Sequence, residues 1–400
     1  MDPCFYRRPS GTGNPINGAR SNAIIILHVD DMRVAADPDT LKLIHDSLFE
    51  EFQITTSDTG RFLGMDVNYD LSAGILKMHM ATYIDSTVQR FADFDLSKGI
   101  PYRELVGSLL WIVLCVIGPE LLRVKDLAKR SNSYTLDDYH HALKVLDRVV
   151  ASKHHGIIFR RGGAHQEYIP SKTRRGGGLE NIETYSIGDQ ASFNELEENN
   201  LYKLDPNIDD MDLDIEKVMA DINDRFTMVA YSDASFAVGE TKQSISGFII
   251  LINGTPILWG SLKQTVVVDS TCSAEYVAAS VCCKQIMQAE NMVQFLDFSC
   301  ARPYKMYTDS EACLKIATNS GKLGNVRHLE IRYHLVRCLI LPGNVILEYC
   351  ITEEMLADLF TKIVTSAQDK RLTIRFYNDC YLPEPEAAQS TAVRAYGVDR

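Results

Sequence analysis

Residues 161–224 carry no hydrophobic repeat of either the strand or the helix period, while the sequence on both sides does. That break constrains the chain more than any other feature. It predicts two ordered units, residues 1–160 and 225–366, joined by an acidic linker or insertion, with 367–400 as a C-terminal tail. The break also holds the charge. Between Gly163 and Asp224 there are 15 Asp or Glu against 5 Lys or Arg, a net of −10 in a chain whose total is −12. The remainder is near neutral, so basic faces around Arg123–Arg130 and Lys322–Arg337 stay open to an anionic partner.

The composition, 46% hydrophobic and 24% charged over 400 residues, is that of ordinary soluble protein. The longest apolar runs, Ala23–Leu27 and Leu109–Gly118, fall short of the roughly 20 residues that a membrane span needs. No signal-peptide pattern opens the chain, so an intracellular location, cytoplasmic or nuclear, is expected. Ten cysteines without a C-x-x-C pair point to reduced thiols rather than a disulfide framework or zinc site.

In the first unit, "AIIILHVDDMRVAA" reads as strand, turn, strand, with Asp30 and Asp31 at the turn. "DPDTLKLIHDSLFEEF" follows as a helix, with Asp37 or Asp39 as its cap. "RFLGMDVNYD" and "GILKMHM" predict a second strand pair, and Pro101 to Val150 a mainly helical block. The divisions expected are 1–100 and 101–160. In the second unit, three strand-like runs precede a long helix over "CSAEYVAASVCCKQIMQAENMVQFL". A strand at "YKMYTDS" and further helices at "EACLKIAT", "HLEIRYHLVRCLI" and "TEEMLADLFTKI" surround one more strand at "VILEYCI". This order predicts a mixed sheet flanked by helices.

Four acids of the second unit lie among apolar neighbours: Asp233, Glu275, Asp309 and Asp358. A lone aspartate at a strand end is ordinarily a turn former or a helix cap. Four together in such surroundings point elsewhere, because converging carboxylates repel by about 4 kcal/mol per close pair at an effective dielectric near 20. A cationic centre resolves this, and two Mg²⁺ ions about 3.5–4 Å apart, with Mn²⁺ as a substitute, are the expected solution for phosphodiester displacement. Lys263 and Lys362 could contact phosphate, and Trp259 is expected in the core.

The stretches "YSDASFAVGETKQSISGFIILINGTPILWGSLKQ", "SAEYVAAS", "MYTDSEACLKIA", "RHLEIRYHLVR" and "EYCITEEMLADLFTK" resemble the ribonuclease H domain of copia-type LTR retrotransposon polyproteins, in the family's order. The resemblance implies an α/β ribonuclease H-like domain with a mixed five-stranded sheet. It further implies that Asp233, Glu275, Asp309 and Asp358 bind the metals and cut the RNA strand of an RNA–DNA hybrid. Arg327, His328 and His334 fall where the family places a basic helix near the substrate.

"HVDD" in turn resembles the Tyr-Val-Asp-Asp turn of copia-type reverse transcriptases, with His28 in place of the tyrosine. "DPCFYRR", "FLGMDV" and "YRELVGSLLWI" are similar to neighbouring palm and thumb segments. The first unit is thus expected to be an α+β palm and thumb remnant, with Asp30 and Asp31 a vestigial polymerase metal site. The third aspartate of a palm is not found in the residues ahead of the hairpin, so polymerase activity from this chain alone is not expected. A non-catalytic transposon remnant that at most binds nucleic acid is the competing reading, and an integrase-like enzyme is disfavoured because its acids form a D-D-E set.

Overall fold

The computed structural model describes residues 5–7, 23–160, 226–318 and 330–378, leaving aside 30, 55–59, 71, 93, 239–242, 297 and 341–342. The expected acidic linker at 161–224 lies outside the described residues. So do Arg327, His328 and the last residues of the expected tail.

The first unit opens with a three-stranded antiparallel sheet of β1 (Phe5–Arg7), β2 (Ala23–His28) and β3 (Asp31–Ala36). The expected hairpin is present, with His28 opposite Asp31 and Val29 at φ 52° in the turn. Helix α1 (Pro38–Glu51) begins on an Asp37 cap that accepts from the Thr40 amide. A second sheet holds β4 (Arg61–Phe62), β5 (Met65–Asp70) and β6 (Ile75–His79), followed by α2 (Ala81–Ala92), α3 (Tyr102–Cys115), α4 (Leu121–Ala128) and α5 (Leu136–Ala151). Strand β7 (Ile157–Arg160) then returns to pair with β6. The sheet therefore closes across the division expected at residue 100, and the helical block is stitched to the strands before it.

The second unit carries the expected mixed five-stranded sheet, in the order β10–β9–β8–β11–β12. Strands β8 (Phe226–Val238), β9 (Gln243–Ile252) and β10 (Thr255–Lys263) form an antiparallel meander. The next two strands, β11 (Cys300–Thr308) and β12 (Val345–Tyr349), run parallel to β8 after crossovers. Helices α6 (Thr271–Phe295), α7 (Glu311–Thr318) and α8 (Glu330–Ile340) supply those crossovers. Successive side chains of a strand point to opposite faces, and this sheet is buried on both. Met228, Ala230, Phe248 and Ile250 pack in a core with α6, whereas Val229, Tyr231, Ile249 and Leu251 face the other way.

That other face has no core of its own. Val229, Tyr231, Ile249 and Leu251 join Tyr102, Leu105, Leu109, Ile112 and Val124 of the first unit in one continuous apolar cluster. The two units, though split in sequence, are thus fused through a common interior. Trp259 is in the core as expected: its indole donates to the Val113 carbonyl at 3.1 Å, and its ring meets Phe376 edge-on. Arg148 bridges the same seam, paired with Glu120 at 2.8 Å and with Asp369 at 3.6 Å.

Two expectations need correction. "TEEMLADLFTKI" is not an α-helix but two 3₁₀ turns, Thr352–Glu354 and Leu356–Phe360, because Met355 between them is extended (φ -71°, ψ 98°) and interrupts any continuous helix. The tail begins as helix α9 (Ser366–Tyr377), capped by Thr365, with Leu372, Phe376 and Tyr377 buried in the shared cluster. Its polar opening, Ser-Ala-Gln-Asp-Lys-Arg, hid the apolar spacing that follows. Among the described residues no helix is long and apolar enough to cross a membrane, and the described cysteines are free thiols.

The common interior predicts one cooperative unfolding transition for both units. Phe376→Ala, which empties a fully buried position, should lower stability by about 3–5 kcal/mol. Urea titrations followed by far-ultraviolet dichroism and by tryptophan fluorescence should shift together. Two separated transitions would show that the units fold apart.

Candidate active site

Register places the first two acids side by side. Tyr231 of β8 and Tyr307 of β11 are paired, with their rings stacked 5.1 Å apart. Two residues further along each chain, and so on the same side by the strand period, stand Asp233 and Asp309. Glu275 comes from the second turn of α6, whose start is fixed by the Ser270 cap accepting from the Ser273 amide. Ligand oxygens of Asp233, Glu275 and Asp309 lie within 4.8 Å of one another. Among the described residues this is the one group of three such side chains close enough to share a metal ion.

Asp358 lies beside the three but is held by other partners. Lys362 Nζ is 2.9 Å from its Oδ1, and Gln368 Nε2 donates to its Oδ2 at 3.0 Å. Thr361, one turn on, donates its hydroxyl to Asp233 Oδ2. Thr352 does the same for Asp309 Oδ2 at 2.8 Å. The 3₁₀ segment that carries Asp358 and leads into Thr361 sits directly on β9 at Gly247. A Cβ there would lie 2.5 Å from Thr361 Cγ2 and 2.9 Å from the Ala357 carbonyl. Glycine is required at that point of close approach.

The electrostatics are those of anions short of cations. Burial pushes the Asp233 carboxyl up to about 6, with the charge of Asp309 adding to it and Lys362 and the Thr361 hydroxyl opposing. Burial also raises Glu275 well above the ordinary carboxylate range, reinforced by Asp233 and Asp309, against one hydrogen bond from the Ala234 amide. Asp358 is pushed up to about 8 by burial and by Asp233, even with Lys362 in contact. Burial works against the charge on Lys362, but Asp233 and Asp358 outweigh it and hold the ammonium above its usual range.

The donor set fits a divalent cation of the hard, oxygen-binding kind. Glu275 Oε2 is buried and receives no hydrogen bond from any described residue, so one oxygen of this member of the cluster has no donor. Such an atom is costly in a protein interior unless a cation completes it.

The other residues singled out in the sequence fall elsewhere. Lys263 ends β10 on an exposed position. His334 lies within α8. Asp31 is exposed at the start of β3, and Asp30 lies outside the described residues. Sequence reading missed Thr352, Thr361 and Gln368, which position the acids. "ITEEM" and "FTK" offered only a hydroxyl next to acidic motifs, a signal too common to single out.

No family model matches the chain. Among curated proteins it is similar to the retrovirus-related Pol polyprotein from transposon TNT 1-94 of Nicotiana tabacum, 23% identical over 395 residues, which cover 91% of this chain and 24% of that protein. It is also similar to the corresponding polyproteins of the Arabidopsis thaliana transposons RE1, 30% identical over 135 residues, and RE2, 29% identical over the same length. Those matches cover 33% of this chain and 9% of each relative. The resemblance to copia-type Pol polyproteins therefore holds over most of the sequence, and the chain spans about a quarter or less of these relatives' length. Solved structures to which the chain is similar include the N-terminal RNase H domain of a Mycobacterium tuberculosis protein, 13% identical, covering 36% of this chain and 97% of that one at a TM-score of 0.28. The foamy viral protease-reverse transcriptase in complex with RNA/DNA hybrid, 12% identical, covers 86% of this chain and 37% of that one at a TM-score of 0.41.

Two predictions follow from the charges and the packing. A carboxyl whose pKa is raised in the folded state favours folding at low pH and loses that contribution as pH climbs. In a chelator, the wild type should therefore lose stability relative to Asp358→Asn as pH rises from about 4 to about 8, read as the difference in melting temperature, and Mg²⁺ should flatten the trend. An unchanged difference across that range would contradict the assignment. Gly247→Ala should displace the 357–361 segment and weaken Mg²⁺ binding by about tenfold or more, since positioning shells of metal sites matter on that scale. Calorimetric titration with Mg²⁺ checks it.

Proposed function

We propose that the chain is a ribonuclease acting on the RNA strand of an RNA–DNA hybrid, with Asp233, Glu275 and Asp309 as its principal metal ligands. The single observation that carries this reading is the convergence of these three carboxylates, with Glu275 Oε2 buried and unpartnered. Similarity to Pol polyproteins of transposons over 91% of the chain supports the substrate class.

Divalent cations, Mg²⁺ or Mn²⁺, would supply the positive charge that activates an attacking water and steadies the departing oxygen of an in-line displacement. The chain's own residues set the stage for that chemistry. Asp233 and Asp309, fixed by the register of β8 and β11, form one side of the centre, and Glu275 closes it from α6. Thr361 and Thr352 donate hydroxyl hydrogen bonds to Asp233 and Asp309 and so fix which oxygens face inward. Asp358 is a secondary ligand, available once Lys362 gives way to a cation. The ammonium released, 40% exposed at the rim, is then free to meet a phosphate oxygen. Lys263, Arg327, His328 and His334 are proposed as substrate contacts, and Asp30 and Asp31 as a vestigial polymerase metal site.

The test is cleavage of an end-labelled RNA–DNA hybrid by the full chain in Mg²⁺. The full chain is needed because the second unit's sheet buries one face against the first. Asp233→Asn and Glu275→Gln should each reduce the rate by about a hundredfold or more, on the scale at which essential acid or electrostatic groups act. A folded wild-type protein that leaves the hybrid intact, or a rate indifferent to both substitutions, would overturn the reading.

A further inference from the structure

Three ammonium groups crowd together where the first unit meets the edge of the second unit's sheet. Lys125 and Lys129 belong to α4 and the turn that ends it, and Lys263 is the last residue of β10. Lys125 is half-buried and donates its Nζ to the backbone carbonyl of Ser261, with no carboxylate partner among the described residues. Burial lowers its pKa, and the charges of Lys129 and Lys263 lower it further. Lys263 is exposed and has no ion pair among the described residues. Lys129 has only Asp126 of its own helix at 2.9 Å, an exposed pair of little worth. Crowding of like charges does nothing for stability here. Departures of this kind from local consistency are expected where a protein meets a ligand.

Strand register places the patch relative to the acids. Asp233, Gly247 and Ser261 stand opposite one another on β8, β9 and β10. Neighbouring strands lie about 4.8 Å apart, so Ser261 is about 10 Å across the sheet from Asp233. Lys263, two residues beyond Ser261, shares the face of the sheet against which α4 and the 357–361 segment pack. The patch therefore flanks the acidic centre on one side, and it is built from both units.

We propose that Lys125, Lys129 and Lys263 form a phosphate-binding ridge that seats the backbone of the nucleic acid cut at the acidic centre. The inference rests on the hydrolytic reading above and extends it by making α4 of the first unit part of the substrate surface. An extended polyanion is the partner that suits the patch: two of the three lysines are exposed, and they line an open edge instead of an enclosed pocket. A duplex strand advances about 3.4 Å per nucleotide along the axis, so the ridge meets phosphates about three nucleotides from the cut.

The experiment is equilibrium binding of a fluorescent RNA–DNA hybrid to the full chain in EDTA, by anisotropy across a salt series. Each lysine lost from a phosphate contact should lower the slope of log K against log salt by roughly 0.7–0.9. Lys263→Gln, at an exposed site, should lower it by about one such step, and Lys125→Gln with Lys263→Gln by about two. Melting curves check that the double variant is folded, and the single exposed variant stands if it is not. Slopes equal to wild type in folded Lys263→Gln and Lys129→Gln, or no hybrid binding by the wild type, would overturn the ridge. A lysine-dependent slope without cleavage on adding Mg²⁺ would keep the ridge and remove the hydrolytic reading. Cleavage with unchanged slopes would do the reverse.

Discussion

Negative charge held where water cannot solvate it is the constraint on which the second unit is organised. Asp233 is 2% exposed and Asp358 is fully buried, with Glu275 and Asp309 beside them. Isolated carboxylates in such a place would take up protons. The surroundings answer with a hydroxyl for Asp233, another for Asp309, an amide for Glu275, and an ammonium with a side-chain amide for Asp358. These groups orient the acids without neutralising them. Among the described residues, Lys362 is the cation in contact with Asp358; its charge also opposes the raised Asp233 and Glu275 carboxyls but does not outweigh their burial.

Much of the fold could be read before any coordinates. Hydrophobic period gave the meander, the long helix and the parallel strands, because each element buries its own apolar residues and leaves a local trace. The acids were legible for the same reason: Asp233, Asp309 and Asp358 interrupt apolar runs where a charge is conspicuous. Less visible were features that depend on distant parts of the chain. The short 3₁₀ turn at Leu356–Phe360 starts after an extended Met355, and an apolar run of this length cannot by its sequence be told from a buried helix. Helix α9 was read as tail because its anchors, Leu372, Phe376 and Tyr377, come after a polar first turn.

The common interior was the least legible feature of all. A strand such as β9 is apolar at every position from Phe248 to Ile252, which is consistent with burial on both faces. What covers the second face is not written in the strand. Here it is the first unit's α3 and α4 together with the segment around Asp358 and helix α9. The consequence for function is direct, since the backbone that carries Asp358, Thr361 and Lys362 is clamped between the sheet at Gly247 and helix α4. The first unit thereby shapes the floor on which the acids are arranged.

The most direct test of the account is crystallographic: crystals of the full chain soaked in Mn²⁺, with data collected to map anomalous scattering. The account predicts a peak bounded by oxygens of Asp233, Glu275 and Asp309 at roughly 2.0–2.3 Å, the range for hard divalent cations. Anomalous density that avoids these three side chains, with Glu275 Oε2 turned to a protein donor instead, would contradict it.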